Sequence, residues 1–256
     1  MRFSKWHALG NAYLLLERVE VGRPLGAHEI RRLCDARTGL GSDGVLEAVA
    51  DREFLVWNPD GSPAEFSGNG ARIAAGWILA RTEVAEVRLR VGERDVVARG
   101  RDGSVELDIG RVVVGEAGTL DVAGEALEYT PVSVGNPHAV VRRAPLEGEL
   151  DRLGPLIETH ARFPKRTNVQ FVQPLGRDEL RLEIWERGVG RTRSSGSSAV
   201  AAAAAAVRNG WSESPLTIVL PGEGDLQVEI DESFFARLTG PVEEICRGDF
   251  LAASAV

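Results

Sequence analysis

The chain has 256 residues, 43 % hydrophobic and 27 % charged, the balance of an ordinary soluble globular protein. At roughly 150 residues per domain this is one large domain or two small ones, and a net charge of −8 argues against a sequence-independent nucleic-acid binder. No window approaches the ~20 apolar residues of a membrane span, and Met1-Arg2-Phe3-Ser4-Lys5-Trp6 lacks the apolar core of a signal peptide, so a cytoplasmic, non-membrane protein is expected.

In chain order, the predicted elements of the first half begin with a helix over His28 to Arg37. The apolar strand Phe54-Leu55-Val56-Trp57 follows, and then Ser67-Gly68-Asn69-Gly70-Ala71-Arg72 opens a helical run from Ile73 to Leu79. Val87-Arg88-Leu89-Arg90-Val91 and Val105-Glu106-Leu107-Asp108-Ile109 alternate as strands. The second half has a helix over Leu150 to His160 and the strand Leu182-Glu183-Ile184-Trp185. Ser195-Gly196-Ser197-Ser198 then opens an alanine-rich helix from Ala199 to Val207, and the strand Leu216-Thr217-Ile218-Val219-Leu220 comes after it.

These elements repeat. Trp57 and Trp185 lie 128 residues apart, and so do Ser67 and Ser195. Leu9-Gly10-Asn11-Ala12-Tyr13-Leu14-Leu15-Leu16 echoes Val134-Gly135-Asn136-Pro137-His138-Ala139-Val140-Val141 at an offset of 125, and Ser42-Asp43-Gly44-Val45-Leu46 echoes Thr167-Asn168-Val169-Gln170-Phe171 at the same offset. Three echoes in register argue for a duplication. The expectation is an α+β protein of two pseudo-symmetric domains, residues 1–113 with 241–256 and residues 114–240. Each domain would be a curled, mostly antiparallel sheet around a central helix. A helix of small apolar residues all round fits the inside of such a curl.

The repeated Ser-Gly motif stands at a helix start, where serine is a favoured N-cap. Its glycines, Gly68, Gly70 and Gly196, also let backbone N–H groups approach a ligand, which makes an anion site at the positive end of the helix dipole. Around it the repeat gathers Asn11, Asn58, Asn136, Asn168, Glu186 and Arg187. Each alone reads first as a structural turn residue. Together they would line an interdomain cleft suited to a zwitterionic amino acid. Cys34 and Cys246 are too few for a disulfide framework or a thiolate zinc site. His7, His28, His138 and His160 fall in no metal-ligand spacing. With two lysines, Lys5 and Lys165, a pyridoxal-phosphate site has two poor candidates. No metal and no cofactor are expected.

The whole chain resembles the diaminopimelate epimerase family of cofactor-independent amino-acid racemases. The resemblance rests on Phe3 to Asn11, Gly39 to Gly44, Asn58 to Ser62, Ser67 to Arg72, Gly135 to His138, Arg162 to Pro164, Arg166 to Asn168 and Glu186 to Gly190. It implies two similar domains and inversion of an α-carbon in the lysine and peptidoglycan precursor pathway. One proton-transfer group would come from each domain. Relatives of the fold often pair as dimers, which leaves a homodimer open. The substrate-binding residues it implies are Asn11, Asn58, Gly68, Asn69, Asn136, Asn168, Glu186, Arg187, Gly196 and Ser197. The family's two catalytic cysteines fall on Ser67 and Ser195. Three explanations of that substitution stand: an engineered trap, a homologue that binds an amino acid but turns it over poorly or not at all, or an isomerase in which His138 or Glu186 is the base, acting through Ser67 or Ser195. Ala12 stands where the family carries Asp and Arg191 where it carries Glu. A positive charge at Arg191 beside the second helix start would favour a ligand with an acidic or phosphorylated far end.

Overall fold

The computed structural model describes residues 1–144, 146–222 and 224–251. The elements run β1 (Arg2–Ala8), β2 (Asn11–Glu17), α1 (Arg18–Val21), α2 (Ala27–Cys34), β3 (Val45–Ala50), β4 (Glu53–Trp57), β5 (Pro63–Ala64), α3 (Gly68–Leu79), β6 (Glu86–Val91), β7 (Arg94–Arg101) and β8 (Ser104–Arg111). They continue with β9 (Val113–Val114), β10 (Gly118–Val122), β11 (Glu125–Ser133), β12 (Pro137–Arg142), α4 (Glu149–Glu158), β13 (Asn168–Pro174), β14 (Glu179–Glu186) and β15 (Gly190–Thr192). The last are α5 (Gly196–Arg208), β16 (Leu216–Val219), β17 (Asp225–Ile230), β18 (Phe235–Pro241) and β19 (Glu243–Asp249). The chain divides into two compact units: Met1–Leu107 with the segment returning from Gly240, and Asp108–Thr239.

The first unit's strands pair in the order β19-β1-β2-β3-β4-β6-β7-β8, with β5 also on β4. The second unit's pair in the order β9-β11-β12-β13-β14-β16-β17-β18, with β15 on β14. In both, the third and fourth strands are parallel, and so are the fifth and sixth. Every other pairing in the two orders is antiparallel where its register is given. The α+β class and the duplicated architecture are therefore as expected.

Each sheet wraps one buried helix. α3 packs against β1, β2, β6 and β7, and α5 against β9, β11 to β14, β16 and β17. Ala199 through Ala206 are all fully buried. Methyl-sized side chains let strands approach the α5 backbone from every side, which a Leu-rich helix would prevent. A second helix covers each sheet from the opposite face. Ile30 and Leu33 of α2 join Leu14, Leu16 and Val45, while Leu150, Leu153 and Ile157 of α4 join Val141, Val169 and Phe171. Strands covered on both faces lose their alternation, and Asn168 to Phe171 of β13 and on to Val172 are buried without a break.

Both of these covering helices end earlier than expected. α2 stops at Cys34 rather than Arg37, because the Asp35 carboxylate accepts hydrogen bonds from Arg37 N (2.8 Å), Thr38 N (2.6 Å) and Thr38 Oγ1 (2.9 Å). That local side-chain turn outcompetes another helical turn. α4 ends at Glu158, two residues short of His160. The paired tryptophans are tied alike: Trp57 Nε1 donates to Glu47 Oε2 (3.0 Å) and Trp185 Nε1 to Glu158 Oε2 (2.7 Å).

Candidate active site

In the first unit the candidate residues gather at the start of α3. Leu9 and Gly10, both at positive φ, turn β1 tightly back into β2. The turn sets Asn11 at the strand start and Tyr13 two residues on, on the same face. Ser67 caps α3: its Oγ accepts from the Gly70 backbone N–H at 3.0 Å. A Cβ on Gly70 would sit 3.2 Å from Ser67 Cβ and 3.1 Å from Leu46 Cδ2, so glycine keeps this cap close. The same Oγ accepts a second hydrogen bond from the Tyr13 phenol, also at 3.0 Å.

Beside Ser67, Asn69 Nδ2 donates to Asn11 Oδ1 (3.1 Å), and Arg72 Nη2 donates to Asn69 Oδ1 (2.8 Å). Arginine can only donate, so it fixes which way the Asn69 amide faces. The Arg72 side chain is fully buried, and burial lowers its pKa to about 10. Its Nε and Nη1 have no hydrogen-bond partner among the described residues. Asn58 lies apart from this group: its amide donates to Ser62 Oγ (3.0 Å) inside an exposed turn.

In the second unit the start of α5 carries a longer chain of contacts. Ser195 takes the N-cap position, yet its side chain caps nothing. Its Oγ instead donates to Glu186 Oε2 at 3.3 Å. Burial raises the Glu186 carboxyl pKa, against the opposing hydrogen bonds of Thr192 and Ser195. Asn168 Nδ2 donates to Pro137 O (3.0 Å), and its Oδ1 accepts from Arg187 N (3.0 Å), which holds the backbone next to Glu186. The Arg187 side chain is exposed and donates to Lys165 O (3.2 Å).

His138 is the correction. It is 1 % exposed, and both ring nitrogens are engaged, Nδ1 by Gln170 Nε2 (3.0 Å) and Nε2 by Asn136 Oδ1 (3.0 Å). The amide nitrogen of Gln170 can only donate, so Nδ1 accepts and Nε2, facing the Asn136 amide oxygen, carries the proton. Burial drives its pKa down to about 3, with the Arg187 charge adding to the effect. A ring held neutral with its acceptor nitrogen occupied is no general base. Gln170 also donates to Ser198 Oγ (3.0 Å) in the first turn of α5, so His138 braces that turn from beneath. Arg191 is a second correction. Its guanidinium is spent on Asp151 (3.0 Å) and Glu183 (2.8 Å), which cancels the charge expected to attract an acidic ligand end.

Both serines thus stand at helix starts beside an ionisable partner. The family model described as diaminopimelate epimerase matches residues 3–115 and 130–244. The chain belongs to the diaminopimelate epimerase family. It is 38 % identical to the diaminopimelate epimerase of Magnetococcus marinus over 99 % of this chain and 98 % of that one. It is 37 % identical to that of Moorella thermoacetica, over 98 % and 99 %. Among solved structures, a phenazine biosynthesis protein of the PhzF family from Bacillus anthracis superposes with a TM-score of 0.72 at 13 % identity, covering 98 % of this chain and 99 % of that chain. A hydroxyproline epimerase from Agrobacterium vitis, with trans-4-hydroxy-L-proline bound, gives 0.65 at 16 % identity over 97 % and 91 %. These two likenesses establish the fold.

Within this diaminopimelate epimerase-family chain, sequence reasoning missed two residues, Tyr13 and Arg72. Tyr13 sits in an apolar stretch and reads as core. The one available signal was the internal echo, which aligns Tyr13 with His138. Arg72 was visible only as the tail of the Ser67 motif.

Proposed function

We propose that the protein epimerises the α-carbon of diaminopimelate by cofactor-independent proton transfer, with Ser195 and Glu186 removing the proton and Ser67 supplying one. The observation that carries this reading is the Ser195 Oγ to Glu186 Oε2 hydrogen bond at a helix start. A serine hydroxyl removes a proton only when a neighbour takes its own. A half-buried carboxylate whose pKa is raised from the ordinary range is a better acceptor than an exposed one. Because Ser195 does not cap α5, the first-turn amides of that helix keep their capacity for a substrate carboxylate. The family membership and the name shared by the curated relatives support diaminopimelate as the substrate.

The reading is tested by giving the protein the LL isomer and following the meso isomer by chiral chromatography. The wild type is expected to interconvert them slowly. Glu186→Gln should be slower by about 10²-fold or more, the usual worth of a positioned acid or base. Ser67→Cys combined with Ser195→Cys should be faster, since a thiol is a far stronger acid than a hydroxyl. If the wild type forms no meso isomer while calorimetry shows the amino acid bound, the turnover reading fails and an amino-acid-binding homologue remains.

A further inference from the structure

The two serines occupy equivalent places in the duplication, but their hydrogen bonds run in opposite directions. Ser195 Oγ donates, and its hydrogen is directed at Glu186. Its lone pairs are then the part of the hydroxyl left to meet a ligand. Ser67 Oγ accepts twice, from Gly70 N–H and from the Tyr13 phenol. Its two lone pairs are filled, so its own hydrogen is the part left over. An oxyanion at Ser67 would be held by those two donors and by the positive end of α3, whereas an oxyanion at Ser195 would face a carboxylate.

We propose that Tyr13 is a positioning residue that, with the Gly70 amide, sets Ser67 as the proton-donating side of the reaction, while Glu186 sets Ser195 as the proton-accepting side. This rests on the epimerase reading above. In the accepting step the α C–H bond breaks and its proton goes to Ser195 Oγ, as the Ser195 hydrogen passes to Glu186 and the electron pair stays on carbon. In the donating step the Ser67 O–H bond breaks, carbon takes the proton, and the negative oxygen is held by Tyr13 and Gly70. Water then returns a proton to Ser67 and removes one from Glu186, which restores the starting state.

The test reads hydrogen-bond direction without substrate. Cys34 and Cys246 are first removed as Cys34→Ala and Cys246→Ser. A thiol is introduced by Ser67→Cys and titrated by thiolate absorbance and by alkylation rate. Adding Tyr13→Phe should raise that thiol's pKa by about one unit, close to a tenfold loss of thiolate at a fixed lower pH. A thiol from Ser195→Cys should respond in the opposite sense, its pKa falling when Glu186→Gln is added. The chain has two tyrosines. With Tyr129→Phe, incorporation of 3-fluorotyrosine therefore labels Tyr13 alone. The fluorinated phenol is a stronger donor and should lower the Ser67→Cys thiol pKa further, which covers the case where Tyr13→Phe does not fold. No shift with either change at Tyr13, or thiol pKa shifts of the same sign when the two partners are removed by Tyr13→Phe and Glu186→Gln, overturns the assignment. The expected shifts in a protein that interconverts no isomers would overturn the reaction and leave the hydrogen bonds standing. Absent shifts in an active protein would overturn the role of Tyr13 and leave the reaction.

Discussion

His138 shows how burial decides a residue's role. Its ring pKa of about 3, against an ordinary 6.5, means that the unfolded chain binds a proton through that interval and the folded chain does not. The stabilisation from keeping the ring neutral is fully present above pH 6.5 and is lost as pH falls toward 3. The gap corresponds to about 4 to 5 kcal/mol over the whole interval. Urea unfolding at a series of pH values, wild type against His138→Gln, should show the wild type's advantage shrinking as the buffer is acidified. A pH-independent difference would mean that the ring is not held neutral. At this scale Ser67, Ser195 and Glu186 were legible, because the repeat marks two of them and the third begins the Glu186-Arg187 motif. Tyr13 and Arg191 were not. A phenol within a row of apolar strand residues has no sequence mark of the hydroxyl it touches. Nor can the sequence show that Asp151, 40 positions away, pairs with Arg191.

At the scale of the element, α5 is the most constrained part of the fold. Its alanines have strands on nearly every side, so a larger side chain has nowhere to go. Ala203→Leu is expected to cost about 1 to 3 kcal/mol by overpacking, despite leucine's good helix propensity, and denaturant unfolding would show it. Gly154 gives a second check, inside α4. A Cβ there would lie 2.7 Å from Trp185 Cδ2. Gly154→Ala should therefore destabilise, although alanine is favoured over glycine in a helix by about 1 kcal/mol. Trp185 fluorescence should also change, because the indole that donates to Glu158 must move. The alanine helix was legible in the sequence because small apolar residues all round have one natural place, inside a sheet. The end of α2 was not, because the stop comes from the Asp35 side chain bonding to the backbone rather than from glycine or proline.

For the molecule as a whole, the repeat in the sequence reappears as one strand order written twice. What the repeat did not show is how each sheet is completed. The strand that follows β8 joins β11 in the second unit, and β19, which follows β18, joins β1 in the first. A chain ending at Pro241 would leave the β1 edge unpaired, with Phe3 and Trp6 beside it. It should lose cooperative unfolding in the first unit, seen as loss of amide protection in β1 and β2. In the proposed reaction the Glu186 carboxylate, through Ser195, takes an α-proton from diaminopimelate. Hydrogen exchange at that carbon in deuterium oxide tests it most directly. Deuterium incorporation is expected at a rate that rises with pH along a limb displaced above the ordinary glutamate range, and Glu186→Gln should slow it by about 10²-fold or more. Absence of deuterium at every pH, or exchange that persists unchanged in Glu186→Gln, would contradict it.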